Sequence, residues 1–178
     1  DPAWVRCARN AARASLDVQQ TYEGFAALAG VEAFSHRFET CLDAALHADG
    51  AYPEGGTMLA LRVECLIASG REDKARTLLA TTPVPVRTDG SACAFDFYRS
   101  LASAALARAD GDRVKAVAAY REAAASAAQQ RAVSLESWAL VQAAERDRHQ
   151  GLDRGYHAAA GSDPAGGIRR HRNPEFEW

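Results

Sequence analysis

Four glycines, Gly30, Gly70, Gly111 and Gly151, stand between stretches of helical periodicity and are separated by 40, 41 and 40 residues. A fixed interval of this size is the mark of a chain that stacks one small unit on the next, because a single unit cannot bury both of its faces. The sequences around the middle two also agree. Gly70-Arg-Glu-Asp-Lys74-Ala75 aligns with Gly111-Asp-Arg-Val-Lys115-Ala116, which places both lysines of the chain at matching positions. Glycine suits a helix end because it enters the left-handed region without a Cβ penalty, and Asp112 is placed to cap the helix that follows. Reading each glycine as the divider of a helical hairpin predicts four pairs: 3–29 with 31–48, 57–69 with 71–81, 93–110 with 112–130, and 134–149 with 153–160. Pro53, Gly55 and Gly56 punctuate the first junction, and Pro83 and Pro85 open a loop that runs to Gly90. No stretch alternates long enough to make a strand. The expected organisation is an all-α domain over 1–160, followed by a Gly/Pro-containing tail over 161–178.

Composition supports close helical packing, since 40 of the 178 residues are alanine. Alanine loses no side-chain entropy in a helix and lets helix axes approach. Between Leu59 and Ala68 two apolar stripes lie on nearly opposite sides: Leu59, Val63, Leu66 and Ile67 on one, Leu61, Cys65 and Ala68 on the other. A helix apolar on two sides belongs between neighbours. Ala116, Tyr120 and Ala123 form a small–large–small series that lets two helices close around one ring. A net charge of −2 argues against bulk electrostatic binding of nucleic acid or an acidic membrane. No apolar stretch reaches the ~18–20 residues of a membrane span. The 19 arginines against two lysines match a GC-rich bacterial coding sequence. Opening on Asp1-Pro2, with Met58 as its single methionine, the chain is expected to be a segment of a longer or processed protein.

The segment Leu59 to Pro83, with Gly70, Ala75 and Leu79, resembles a tetratricopeptide (TPR) repeat. Phe97 to Ala128, with Ala104, Gly111, Ala116, Tyr120 and Ala123, resembles a second. Leu59 and Ser100 stand where the family has an aromatic, and Val63 where it has a small residue. An interval near 40 is similar to the longer TPR-like repeats of bacterial regulatory proteins, including large ATP-dependent activators and peptide-responsive regulators. The resemblance implies a right-handed stack of about four hairpins with a concave binding surface. It also implies which positions face that surface. Thirteen residues before the glycines lie Asp17, Thr57, Tyr98 and Trp138; six before lie Gly24, Glu64, Ala105 and Glu145; three before lie Ala27, Ile67, Arg108 and Arg148. The binding residues expected from this register are Tyr98, Trp138, Arg108, Arg148, Glu64 and Glu145. Aromatic rings supply stiff contact area and arginine engages carboxylates bidentately, which suits a protein or peptide segment that is acidic or ends in a free carboxylate. Tyr98 and Trp138 serve equally well as packing between hairpins.

No P-loop, dinucleotide motif, nucleophile elbow or His-Glu-x-x-His occurs, so no catalytic residue and no cofactor is expected, and the segment is not expected to bind nucleic acid directly. His36, Glu39, Asp43 and His47 share a helix face that could ligate a metal. The opposite face, with Phe34, Phe38, Cys41, Leu42 and Ala45, reads as an ordinary amphipathic helix with its charges in solvent, and no metal site is expected. A small-molecule sensor with an apolar pocket formed by Cys65, Tyr120 and Trp138 is the alternative reading. Cys7, Cys41, Cys65 and Cys93 lie in helical segments without metal-like spacing. They read as buried reduced thiols, pointing to the cytoplasm. A homo-oligomer is compatible with these features. The tail carries a basic cluster, Arg169, Arg170, His171 and Arg172, and ends with Phe176 and Trp178, which could dock on the helical body.

Overall fold

The computed structural model describes residues 2–51, 58–84 and 94–160, with side chains in the last stretch described through Asp147. These residues form eight helices and no strand: α1 (Ala3–Val18), α2 (Tyr22–Phe34), α3 (Phe38–Ala51), α4 (Leu59–Ala68), α5 (Glu72–Thr81), α6 (Ala94–Ala109), α7 (Arg113–Gln129) and α8 (Val133–Ala160). No described helix is long and apolar enough to cross a membrane. Thr57, Cys93, the loop beyond Val84 and the tail over 161–178 lie outside the described residues.

Packing follows chain order. α2 packs on α3, α4 on α5, α6 on α7 and α7 on α8, while α2 also touches α4 and α4 packs on α6. Apolar burial is correspondingly local. Ala29, Ala44, Ala45, Ala48 and Met58 join α2, α3 and the start of α4. Leu59, Val63, Leu66, Ala75, Phe95, Ala102 and Leu106 join α4, α5 and α6. Phe97 with Ala123, Ala124, Ala127 and Ala139, and Ala104 with Val117, Tyr120 and Ala143, join α6, α7 and α8.

Four short turns have one design. His36, Gly70, Gly111 and Arg131 have φ of 56°, 71°, 72° and 57°. In each, the next residue's N–H reaches back five positions: Arg37 to the Glu32 carbonyl, Arg71 to Leu66, Asp112 to Ala107 and Ala132 to Ala127, at 2.8–2.9 Å. This left-handed closure satisfies carbonyls that a helix end otherwise leaves without partners. Gly70 and Gly111 perform it as expected, and Asp112 accepts from the Lys115 N–H at 3.0 Å as the N-cap of α7.

Gly30 and Gly151 do not divide hairpins. Gly30 lies inside α2, and α8 runs unbroken through Gly151. His36 makes the turn after α2, and Arg131 makes the expected junction between the third and fourth pairs; that conformation costs a residue with a Cβ roughly 1–2 kcal/mol unless the surroundings impose it. The first predicted pair is therefore three helices and the last a single helix. Exposed Arg131 offers a direct check. Arg131→Gly is expected to raise stability by up to about 1 kcal/mol, and Gly111→Ala to lower it by about 1 kcal/mol. Urea midpoints moving in the same direction for both would contradict the shared turn geometry.

The break before α2 is set by Thr21, whose hydroxyl accepts from the Gly24 N–H at 3.2 Å. Gly24, expected on the concave side, instead faces α1. A Cβ there would meet Leu16 Cδ2 at 2.8 Å, so its bare backbone lets the two helices close. A disulfide joins Cys41 of α3 to Cys65 of α4, and both residues are buried. For this pair burial follows the expectation but the reduced state does not, and for exposed Cys7 the expected burial fails. Cys7 is a free thiol on the exposed face of α1. Because disulfides persist in oxidising compartments, this pair removes the thiol argument for the cytoplasm.

Candidate functional site

α4 uses its two apolar stripes differently. Leu59, Val63 and Leu66 enter the core, whereas Leu61, Cys65 and Ala68 line a groove of about 430 Å³. Ala33, His36 and Phe38 close one side, and Ala105, Arg108 and Ala109 of α6 the other. Glu64 and Ile67 complete the α4 wall. Counted from the left-handed residue of each turn, Ala33, Ile67 and Arg108 all stand three positions before it, at 36, 70 and 111. Glu64 and Ala105 stand six positions before Gly70 and Gly111 and line the same groove. The positions three and six before Gly70 and Gly111 thus share one groove with Ala33, whereas Tyr98, thirteen before Gly111, is not among its described lining residues.

Glu64 and Arg108 are an oppositely charged pair in this groove. The Arg108 Nη1 lies 4.0 Å from the Glu64 Oε1, and both side chains are about half exposed. Burial against the apolar wall pushes the Glu64 carboxyl above its ordinary value, and the Arg108 charge opposes that rise. Arg108 donates from Nη1 to the Tyr120 hydroxyl at 3.1 Å, a bond that raises the arginine's own value while desolvation lowers it.

Tyr120 itself is buried, and it organises a second set of side chains on α8. Arg146 lays its guanidinium 5.0 Å from the Tyr120 ring centroid, and Trp138 meets the same ring edge-on at 6.2 Å. The Arg146 Nη1 donates to the Gln142 carbonyl and side-chain oxygen at 3.1 and 2.9 Å. Arg108, Gly111, Arg113, Ala116 and Arg146 surround a further concavity of about 390 Å³, which meets the groove at Arg108.

Of the residues expected to bind, the structure brings Glu64 and Arg108 together and places Trp138, 46% exposed, beside Tyr120. Tyr98 is half-buried between two core clusters, edge-on to Phe97 at 5.2 Å, and is not among the described lining residues of the groove. Its hydroxyl is pushed above the ordinary value, first by burial and then by Tyr22. Glu145 is exposed on α8, and the Arg148 side chain lies outside the described residues. Cys65 lines the groove whereas Tyr120 and Trp138 pair on α7 and α8, so these three do not form the single pocket expected of a sensor. On the histidine-bearing helix, Glu39 pairs with Arg71 at 2.7 Å and His47 bonds the Asp43 carbonyl at 2.9 Å. Among the described residues no group of three or more His, Cys, Asp or Glu is placed to hold a metal.

Arg146 was not singled out because the count toward α8 began at Gly151, where no turn occurs. The usable signal was Tyr120, whose helical spacing between small residues fixed it as the centre of the packing. No family model, curated protein or solved structure matches this chain.

Proposed function

We propose that this chain is a non-catalytic binding module in which successive helical pairs form a TPR-like stack, and that its groove docks an extended segment of a partner protein. The groove carries this reading, because its lining comes from α2, the turn into α3, α4 and α6. α2, α4 and α6 are the first helices of three consecutive pairs. Order-dependent packing and four local apolar clusters are what a stack of repeats requires, since each unit needs its neighbour. Apolar groove residues would exclude water from the bound segment, and Arg108 would meet an acidic group on it. Trp138, partly exposed beside Tyr120, would add aromatic area to the docked surface. Tyr98 contributes through packing. The resemblance to bacterial regulators makes a regulatory parent protein the natural setting. Val133, Leu140 and Val141 remain exposed on α8, where a further unit or a second copy could pack.

The test is a peptide-display selection on the immobilised chain. Enriched peptides should lose about tenfold in affinity on Arg108→Ala or Ile67→Asp, as central contacts do. The variants should keep near-native circular dichroism and thermal midpoints. Peptides indifferent to both substitutions, or no enrichment at all, would sink the reading.

A further inference from the structure

We propose that the concavity between α6, the turn into α7, and α8 is a binding site for a phosphate monoester, held by the guanidinium forks of Arg108 and Arg146. This rests on the groove reading only for where the rest of the ligand lies, since Arg108 borders both spaces.

The lining narrows the chemistry. Its long side chains are three arginines, Arg108, Arg113 and Arg146, and its other residues are Gly111 and Ala116, whose small size leaves room for a ligand. Two forks are positioned by one ring. Tyr120 is 3% exposed and cannot shift easily. It takes the Arg108 Nη1 on its hydroxyl and faces the Arg146 guanidinium with its ring. The hydrogen bonds of Arg146 to Gln142 also use Nη1, leaving the Nε and Nη2 edge of each fork for a ligand. Arginines held this way lose less side-chain freedom on binding than free ones.

Among the described residues, the flanking acids Asp112 and Asp147 are already engaged. Asp112 is held by the Lys115 ammonium at 2.8 Å and Asp147 by Arg121 at 2.9 Å. Glu64 stands on the groove side of Arg108 at 4.0 Å. The concavity therefore favours an anion.

Two forks distinguish among anions. A carboxylate offers two oxygens and is satisfied by one bidentate arginine, leaving the second fork unmatched. A phosphate monoester offers three terminal oxygens and a charge of about −1.5 to −2, enough for forks from two helices. Such a group could be borne by a phosphorylated side chain on the docked segment or by a free metabolite.

Titration of the ¹⁵N-labelled chain with phenyl phosphate, without any peptide, tests the site separately from the groove. Saturable shifts of the Gly111 and Ala116 amides are expected, with benzoate at least about fivefold weaker. Arg146→Ala should abolish them. Arg146→Gln, which keeps the stem against Tyr120, should do the same if the alanine variant misfolds. Tyr120→Phe, which keeps the ring but frees Arg108, should weaken binding severalfold. No saturation by about 20 mM, benzoate binding as well as phenyl phosphate, or shifts indifferent to Arg146→Gln would overturn the proposal. A groove-selected peptide that gains affinity when phosphorylated identifies the partner as the source. Phenyl phosphate binding without that gain identifies a free ester.

Discussion

Glu32→Ala is expected to lower stability by about 3–5 kcal/mol, the range for removing one member of a buried ion pair. Glu32 is fully buried and accepts from the Arg9 Nε at 2.8 Å, while Arg9 is itself only 6% exposed. Arg9 also donates from Nη2 to the Ser35 hydroxyl at 2.8 Å, and that hydroxyl donates to the Val31 carbonyl at 2.7 Å. One side chain from α1 thereby holds both α2 and the turn that follows it. Without Glu32, the buried Arg9 guanidinium would lose the carboxylate that its Nε meets. The reciprocal change, Arg9→Ala, should cost less. Arg13 and Arg37 lie 3.7 and 3.8 Å from the Glu32 carboxylate and are about half exposed, so they can move to neutralise it. Chemical unfolding of the two variants measures the asymmetry, and an Arg9→Ala loss equal to that of Glu32→Ala would contradict it. Arg9→Met with Glu32→Leu together should recover most of the stability, because apolar residues of similar volume can replace a buried pair.

This ion pair was not legible in the sequence. Helical periodicity reads a glutamate among Val31, Ala33 and Phe34 as solvent-facing, and nothing in one sequence says that an arginine 23 positions earlier meets it. The all-helical class was legible, because alanine content and the absence of alternation act locally. The turns that glycine closes, at Gly70 and Gly111, were legible, and so was the break between 130 and 134. At His36 the same backbone geometry falls on a residue that rarely adopts it, so composition did not mark that turn. The groove residues Glu64, Ile67 and Arg108 followed from counting back from true turns. Counting from Gly30 put Gly24 and Ala27 in the site, and Gly24 packs against α1 instead. The Cys41–Cys65 bond was hidden for a related reason, since 24 residues of separation say nothing about two helices that happen to face each other.

Phe97→Ala should cost about 3–5 kcal/mol, toward the upper end of that range, because of what surrounds the ring. Phe97 is 2% exposed, and the buried residues clustered with it are Ala123, Ala124, Ala127 and Ala139. Alanine has no rotamer with which to fill the vacated space, so closing it falls to partly buried Tyr98 and Leu101 or to a shift of α7 and α8. Phe95 provides the comparison. It is equally buried, but its cluster contains Leu59, Leu66 and Leu106, whose side chains can turn into a void. Phe95→Ala should therefore cost less than Phe97→Ala by about 1 kcal/mol. A reversed order in urea unfolding would mean that alanine-lined helices collapse more readily than leucine-lined ones. Because burial is local, the loss should also be local. Amide exchange should accelerate across α6, α7 and the early part of α8 while α2 and α3 keep their protection, as expected when each unit is stabilised by its neighbours. The same variant reaches the proposed phosphate site through α6, which carries Arg108, and α7, which carries Tyr120. Loosening that packing should weaken ligand binding by separating the two forks, even though Phe97 lines neither concavity.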